Sequence, residues 1–354
     1  MNAIRVLVVD DAAVVRRQVS LLLDADPGLE VVATAPNGRI ALTKVEQFQP
    51  DVVLLDLEMP DLDGLETLKL LRQRAPELPV VMFSALTERA GVLTLEALAL
   101  GARDYVTKPT SAGGLHVTVE AVREELVRKL KALHVRASPA PPAQASVPRA
   151  PRARAHAPSR VEAIVIGAST GGPGALVRVV SALPADLPVP VLIVQHMPPL
   201  FTRLLAERLE AASSLRVREA VSGAFVQPGA VWVAPGDFHL AVRRDAAGVR
   251  LHTHQGPAEN ACRPAVDLLF RSAADVYGPG VLAVVLTGMG QDGLRGCRRV
   301  SESGGQVVVQ DQASCVIGSM PGVVEQAGLA DAVVPLDTLA TELVRRVEAR
   351  GKRT

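Results

Sequence analysis

Aromatic side chains are nearly missing from this chain. Phe, Trp and Tyr together make up 3% of its 354 residues, so any core has to be assembled from Val, Leu, Ile and Ala. Cysteine is scarcer still. Cys262, Cys297 and Cys315 are the full set, and their spacing suits neither a metal knuckle nor a disulfide framework. Such usage is expected of a reducing compartment, and the predicted location is cytoplasmic. An excess of one charge is also lacking: 38 Lys and Arg face 37 Asp and Glu, for a formal charge of +1. A near-neutral molecule feels little long-range pull toward nucleic acid or an anionic membrane. No apolar run approaches the roughly 20 residues that a bilayer-spanning helix needs, and Met1–Asp11 reads as a strand rather than a signal peptide. Neither nucleic-acid binding nor direct membrane insertion is expected.

What remains is a globular composition, 48% hydrophobic and 21% charged, over a length that suits two domains. A composition break marks the division. From His134 to Arg160 the stretch HVRASPAPPAQASVPRAPRARAHAPSR contains no Asp or Glu and is rich in Ala, Pro and Arg. It has too little apolar surface to offset the entropy of ordering, and its prolines favour extended backbone. The expected organisation is a first domain over 1–125, a helix end and flexible linker over 126–160, and a second domain over 161–350.

Both halves alternate apolar strands with helical periodicity. The first half offers strands at Ile4–Val9, Glu30–Ala35, Asp51–Leu55, Pro79–Phe83 and Arg103–Val106, with helical patterns such as Val14–Leu23 and Leu93–Leu100 between them. The second offers Glu162–Ile166, Val189–Gln195, Ala230–Ala234, Val281–Thr287 and Gln306–Gln310, plus a hairpin from Leu240 to His252. Short apolar runs separated by helices imply parallel sheets covered on both faces. The fold class is therefore α/β twice over: a five-stranded parallel domain, then a doubly wound, mostly parallel domain with an antiparallel addition. Ligands of such sheets gather beyond the carboxyl ends of the strands.

Four strand ends in the first half carry chemistry. IRVLVVDD ends in Asp10 and Asp11, DVVLLDLEMPDLDG places Asp56, VVMFSA contributes Ser84, and ARDYVTKP delivers Lys108. Carboxylates gathered on one edge repel one another unless a cation neutralises them, and hard oxygens favour Mg²⁺. A carboxylate held this way can accept a phosphoryl group, with Lys108 and Ser84 placed to hold the phosphate oxygens. Singly, each aspartate reads as a helix cap or a solvated strand end. Together the set resembles the response-regulator receiver family, whose fold is flavodoxin-like. That resemblance implies phosphorylation of Asp56, Mg²⁺ on Asp10, Asp11, Asp56 and the backbone carbonyl of Glu58, and switching through Ser84, Tyr105 and Lys108.

In the second half VEAIVIGA runs into Gly167-Ala-Ser169-Thr-Gly171, a G-x-S-x-G pattern in which small residues allow a sharp turn exposing a serine. A glycine-rich phosphate loop or a serine helix cap fits the same residues. VPVLIVQHMP ends in His196, and VLAVVLT leads to Gly288-Met-Gly-Gln-Asp292-Gly293. Alone, His196 reads as structural and Asp292 as a helix cap. On one sheet edge they supply a nucleophile, a base and an orienting acid, the set that acyl-transfer hydrolysis needs. Gly288-x-Gly290-x-x-Gly293 with Asp311 beyond it also mimics a dinucleotide fingerprint. Against that reading, Asp292 would put its carboxylate in the pyrophosphate cradle.

The motifs GASTGG, QHMP, NACRPAVDLLFRSAA, TGMGQDG and DQASCVIGSMP are similar to those of the chemotaxis receptor methylesterases, the CheB family. The similarity implies Ser169 as nucleophile, His196 as general base and acid, Asp292 as the residue orienting His196, the Met289 amide as oxyanion donor and Thr170 as support, with no cofactor in this site. It further implies hydrolysis of glutamyl methyl esters on chemoreceptors and a CheA-type histidine kinase as phosphodonor. Some members also deamidate glutamine. Two other classes stay open at this level, a nucleotide-binding and a DNA-binding response regulator; the second is disfavoured by strands running throughout the C-terminal half.

Overall fold

The computed structural model describes residues 3–109, 118–137 and 160–349. The chain separates into two compact units on either side of Pro142–Ala143. Of the expected linker region, the part up to Ala137 is the end of a helix, and 138–159 lies outside the described residues.

The first unit alternates β1 (Ile4–Val9), α1 (Ala13–Asp24), β2 (Leu29–Ala35), α2 (Gly38–Phe48), β3 (Val52–Asp56), α3 (Gly64–Arg74), β4 (Val80–Ser84), α4 (Glu88–Ala99), β5 (Asp104–Thr107) and α5 (Val119–Ala137). Its strands pair in the order β2-β1-β3-β4-β5, every pair parallel. With helices on both faces the strands have no wet side, which is why β3 and β4 read as unbroken apolar runs and are buried at every position. Short polar side chains begin the helices: Asn37 accepts from the Ile40 amide, Asp63 from Glu66 and Thr87 from Ala90.

The second unit runs β6 (Ala163–Ala168), α6 (Gly172–Ser181), β7 (Val191–Gln195), α7 (Pro199–Ala212), β8 (Arg216–Glu219), β9 (Ala230–Val233), β10 (His239–Asp245), β11 (Gly248–His254), α8 (Val266–Tyr277), β12 (Val281–Val285), α9 (Leu294–Glu302), β13 (Gln306–Gln310), α10 (Ser319–Gln326), β14 (Ala332–Val334) and α11 (Leu336–Glu348). Seven strands form one parallel sheet in the order β14-β13-β12-β6-β7-β9-β8. The expected hairpin is present as β10 and β11, but it forms its own two-stranded sheet instead of extending the large one. Val266, Leu269, Phe270, Ala273 and Ala274 of α8 pack into one apolar cluster with Leu240, Val242 and Leu251 of the hairpin and with β6 and β12. Each large side chain so buried contributes on the order of 1.5–3 kcal/mol. That packing fixes where the N-terminus of α8 points.

Two strands escaped the sequence pattern. β8, RVRE, alternates exposed and buried positions, and β14 has three residues. Both are edge strands, where polar residues replace the apolar runs of the interior.

Each sheet has a point where the strand order reverses: between β1 and β3 in the first, and between β6 and β12 in the second. Loops leaving those strands diverge to opposite faces and open a crevice.

Candidate functional site

At the first reversal point, Asp10 follows β1 and Asp56 closes β3; both are buried, while Asp11 is exposed. One carboxylate oxygen from each of the three lies within 4.8 Å of the others. Lys108 spans the pair, its Nζ 2.7 Å from Asp10 Oδ2 and 2.9 Å from Asp56 Oδ2. Asp56 also accepts from the Leu57 amide at 2.8 Å. Those partners do not suffice. Burial, with Asp10 adding to it, pushes Asp56 up to about 6 against the pull of Lys108. The Lys108 ammonium is raised in turn, because Asp10 and Asp56 outweigh the burial that would lower it. A hard divalent cation is what such an under-neutralised oxygen cluster fits. Gly64 is required behind it, since a Cβ there would sit 2.1 Å from the Asp56 carbonyl oxygen.

Of the expected switch residues, Ser84 is buried at the end of β4 with Oγ 2.7 Å from the Thr94 hydroxyl. Tyr105 is buried in β5, and burial raises its phenol well above the usual value. The Glu58 side chain is exposed and lies 3.4 Å from Arg89.

At the second reversal point, β6 and β7 run in register with Ala168 opposite Gln195. Ser169 and His196 are the next residue on each strand, and neighbouring strands lie about 4.8 Å apart, so the two stand side by side. The His196 amide donates to Ala168 O at 3.2 Å, the Ser169 amide to Thr287 O at 3.0 Å, and the Gln195 side chain to Ser169 O at 2.9 Å. Helix α6 starts three residues beyond Ser169, which brings the positive end of its dipole near the serine. The loop after β12 crosses close by. A Cβ on Gly288 would lie 2.9 Å from Ser169 Cβ and 2.3 Å from Met320 Sδ, so only glycine lets the strands approach this closely.

His196 Nε2 is 2.8 Å from Asp292 Oδ2. Asp292 is also fastened by the amides of Val266 (2.7 Å), Asp267 (3.0 Å) and Gly293 (3.0 Å) and by Asn260 Nδ2 (2.9 Å). Burial would raise this carboxyl, but His196 and those amides hold it below the usual carboxylate range. Burial likewise opposes charge on His196, yet Asp292 and the neighbouring Cys262 lift the imidazole to about 10. The dinucleotide reading meets its obstacle here: the Asp292 carboxylate occupies the turn and already takes the Gly293 amide. Ser169 Oγ has no hydrogen-bond partner among the described residues, so Ser169 and His196 are adjacent but not joined. The Met289 amide and the Thr170 amide likewise donate to no acceptor among the described residues, which leaves them open to a developing oxyanion. Thr170 is buried, and its carbonyl accepts from Thr287 Oγ1 at 2.9 Å.

Sequence reasoning missed four contributors. Thr287 Oγ1 also receives the Val316 and Ile317 amides, both at 3.0 Å, tying the serine turn to the loop before α10. Gln195 anchors the Ser169 carbonyl, Asn260 holds Asp292, and Cys262 Sγ lies 3.6 Å from His196 Nδ1. Only the polar Asn260–Cys262 turn immediately before the apolar face of α8 gave a signal that could have been followed.

The family model described as CheB methylesterase matches residues 164–343, and that described as response regulator receiver domain matches 6–120. A protein-glutamate methylesterase/protein-glutamine glutaminase of Trichodesmium erythraeum (strain IMS101) is 48% identical over 98% of this chain and 100% of its own length. One of Nocardioides sp. (strain ATCC BAA-499 / JS614) is 51% identical over 98% of this chain and 96% of its own. The crystal structure of the Thermotoga maritima CheB methylesterase catalytic domain superposes with a TM-score of 0.52 at 42% identity, covering 52% of this chain and 98% of that one.

Proposed function

This chain belongs to the CheB methylesterase family, and from that premise we propose that it is a receiver-controlled protein-glutamate methylesterase in which Ser169 is the nucleophile, His196 the base and Asp292 the group that orients the base. The hydrogen bond of 2.8 Å between His196 and Asp292, next to Ser169, is the observation that carries this reading. Ser169 Oγ attacks the ester carbonyl of a methylated glutamate while His196 takes its proton. The tetrahedral oxyanion forms against the open amide of Met289, and Thr170 supports the turn. His196 returns the proton to the departing methoxide, releasing methanol. Water, deprotonated by the same imidazole, then frees the glutamate. Attack on a glutamine side chain follows the same course with ammonia leaving, in line with the second half of the relatives' printed names.

In the receiver, Asp56 is the proposed phosphate acceptor. Asp10, Asp11, Asp56 and the backbone carbonyl of Glu58 would hold Mg²⁺, which supplies the positive charge that lets a carboxylate meet an anionic phosphoryl donor. Lys108 and Ser84 would hold the phosphate oxygens, and with Tyr105 they would couple phosphorylation to a second conformation. The fitting phosphodonor is a CheA-type histidine kinase, and the fitting substrate is a methyl-accepting chemoreceptor. No helix of the described residues is long and apolar enough to cross a membrane; work on the inner side of a receptor places the enzyme in the cytoplasm.

Methanol release from a methylated receptor tests the reading. Ser169→Ala should lower turnover by about 10³-fold or more, with wild type stimulated by a small phosphodonor and Asp56→Asn not. Methanol release by Ser169→Ala at the wild-type rate would remove the serine mechanism.

A further inference from the structure

The turn that precedes α8 is built unusually tightly. Glu259 and Cys262 exchange backbone hydrogen bonds of 3.1 and 2.8 Å, and the residues between them, Asn260 (φ 52°) and Ala261 (φ 60°), both adopt left-handed backbone. Two positive φ angles in succession mark the tight hairpin turn that asparagine and glycine tolerate best, and Ala261 adopts one against its Cβ. The turn aims two polar groups, on Asn260 and Cys262, at the rim. Asn260 Nδ2 reaches Asp292 at 2.9 Å and Asp267 at 3.0 Å, and Cys262 brings its sulfur to 3.6 Å from His196 Nδ1.

The two imidazole nitrogens therefore have different partners. Asp292 is an acceptor, so in the neutral ring it holds the single imidazole proton on Nε2 and leaves the lone pair on Nδ1. Nδ1 is thus the nitrogen that must receive the Ser169 proton. Its partner in the resting structure is the Cys262 thiol, since Ser169 Oγ makes no hydrogen bond among the described residues. A ring tied at one nitrogen can swing about that bond; a second contact across the ring removes the swing. The sulfur, imidazole and carboxylate are close enough together to suggest a metal site. Asp292, however, already accepts from five N–H groups, those of His196, Val266, Asp267, Gly293 and Asn260, and has no lone pair to spare.

We propose that Cys262 is a positioning residue of the esterase: its thiol, donating to His196 Nδ1, keeps the lone pair of the base aimed into the Ser169 pocket between turnovers. A thiol suits that task. It is a weak donor, so it yields Nδ1 to the Ser169 hydroxyl at little cost when substrate arrives. The remaining ionisable groups near the ring are Asp292 and, behind it, Asp267. This inference rests on the esterase reading above.

The test uses the full-length protein with phosphodonor, a methylated receptor as substrate, and Ser169→Ala as the blank. Cys262→Ala should lose about ten-fold in kcat, as expected of a misaligned base, with KM nearly unchanged. Cys262→Ser, which keeps a donor, should retain most of the wild-type kcat. Independently of activity, the imidazole ¹⁵N signals of His196 should collapse toward an averaged position in Cys262→Ala. Wild-type kcat together with unmoved ¹⁵N signals in Cys262→Ala would overturn the proposal. So would equal losses in the alanine and serine variants with unmoved ¹⁵N signals, which would assign the residue to packing. If wild type releases methanol no faster than Ser169→Ala, it is the esterase reading that fails, and the ¹⁵N signals still decide what holds the ring.

Discussion

The two units place their functional groups in the same way and charge them in opposite ways. Each sheet reverses its strand order once, between β1 and β3 or between β6 and β12, and each sets a buried aspartate beside that reversal. Asp56 and Asp292 are almost equally hidden, with 4% and 2% of their surface exposed. Yet Asp56 is pushed up to about 6 whereas Asp292 is held below the usual carboxylate range. Burial cannot be the difference. Asp292 accepts from three amides, an amide side chain and an imidazole, while Asp56 shares one lysine with Asp10 and receives a single amide. A carboxylate surrounded by fixed donors is a structural anion. One that lacks them is poised to gain positive charge, which is what a phosphate acceptor and its cation need.

The sharpest way to break that comparison is to neutralise each aspartate with its amide. Asp292→Asn offers an N–H where the imidazole and several amides expect an acceptor, so the His196 tautomer is lost. Turnover should fall by about 10³–10⁴-fold, and the second unit should melt earlier; methanol release and a thermal scan check both. Asp56→Asn should do the reverse to the first unit. A rise from 3.8 to about 6 on folding means ionised Asp56 costs roughly 3 kcal/mol. The sign is that of a raised carboxyl: no cost below pH 3.8, growing through the interval, and full above about 6. The variant should therefore protect β1 and β3 amides from hydrogen exchange more than wild type at pH 7, with no difference near pH 3.5. A smaller effect concerns His196. The imidazole must be neutral to take the Ser169 proton, and its pKa is raised toward 10, so esterase activity should keep rising on the alkaline side of pH 6.5. An acidic limb at or below pH 6.5 would show that the Asp292 contact does not control the base.

How much of this was legible in the sequence depended on what each residue faces. β1, β3, β4, β6, β7, β12 and β13 are interior parallel strands, and water on neither face leaves a near-continuous apolar run that announces itself. β8 and β14, at the edges, gave no such signal. Strand ends shifted by a residue or two: the run expected over Glu162–Ile166 is Ala163–Ala168, and that over Val281–Thr287 ends at Val285. Ser169 and His196 were visible because each immediately follows such a run, and Asp292 because it stands in the glycine-rich turn that leaves β12. Cys262 and Asn260 were not, since they sit in a turn whose place at the rim is set by the packing of α8 against the hairpin and β12.

Sequence alone determined that there are two α/β units, which residues stand at the carboxyl ends of their strands, and which of those carry a hydroxyl, an imidazole or a carboxylate. Those features are local, because a strand is defined by its own apolar run and its end by the residue that follows. The tertiary structure decided the electrostatic character of each group. That depends on how many donors arrive from distant segments, and four of the five N–H groups on Asp292 reach it only once α8, the Asn260 turn and β7 have packed around it.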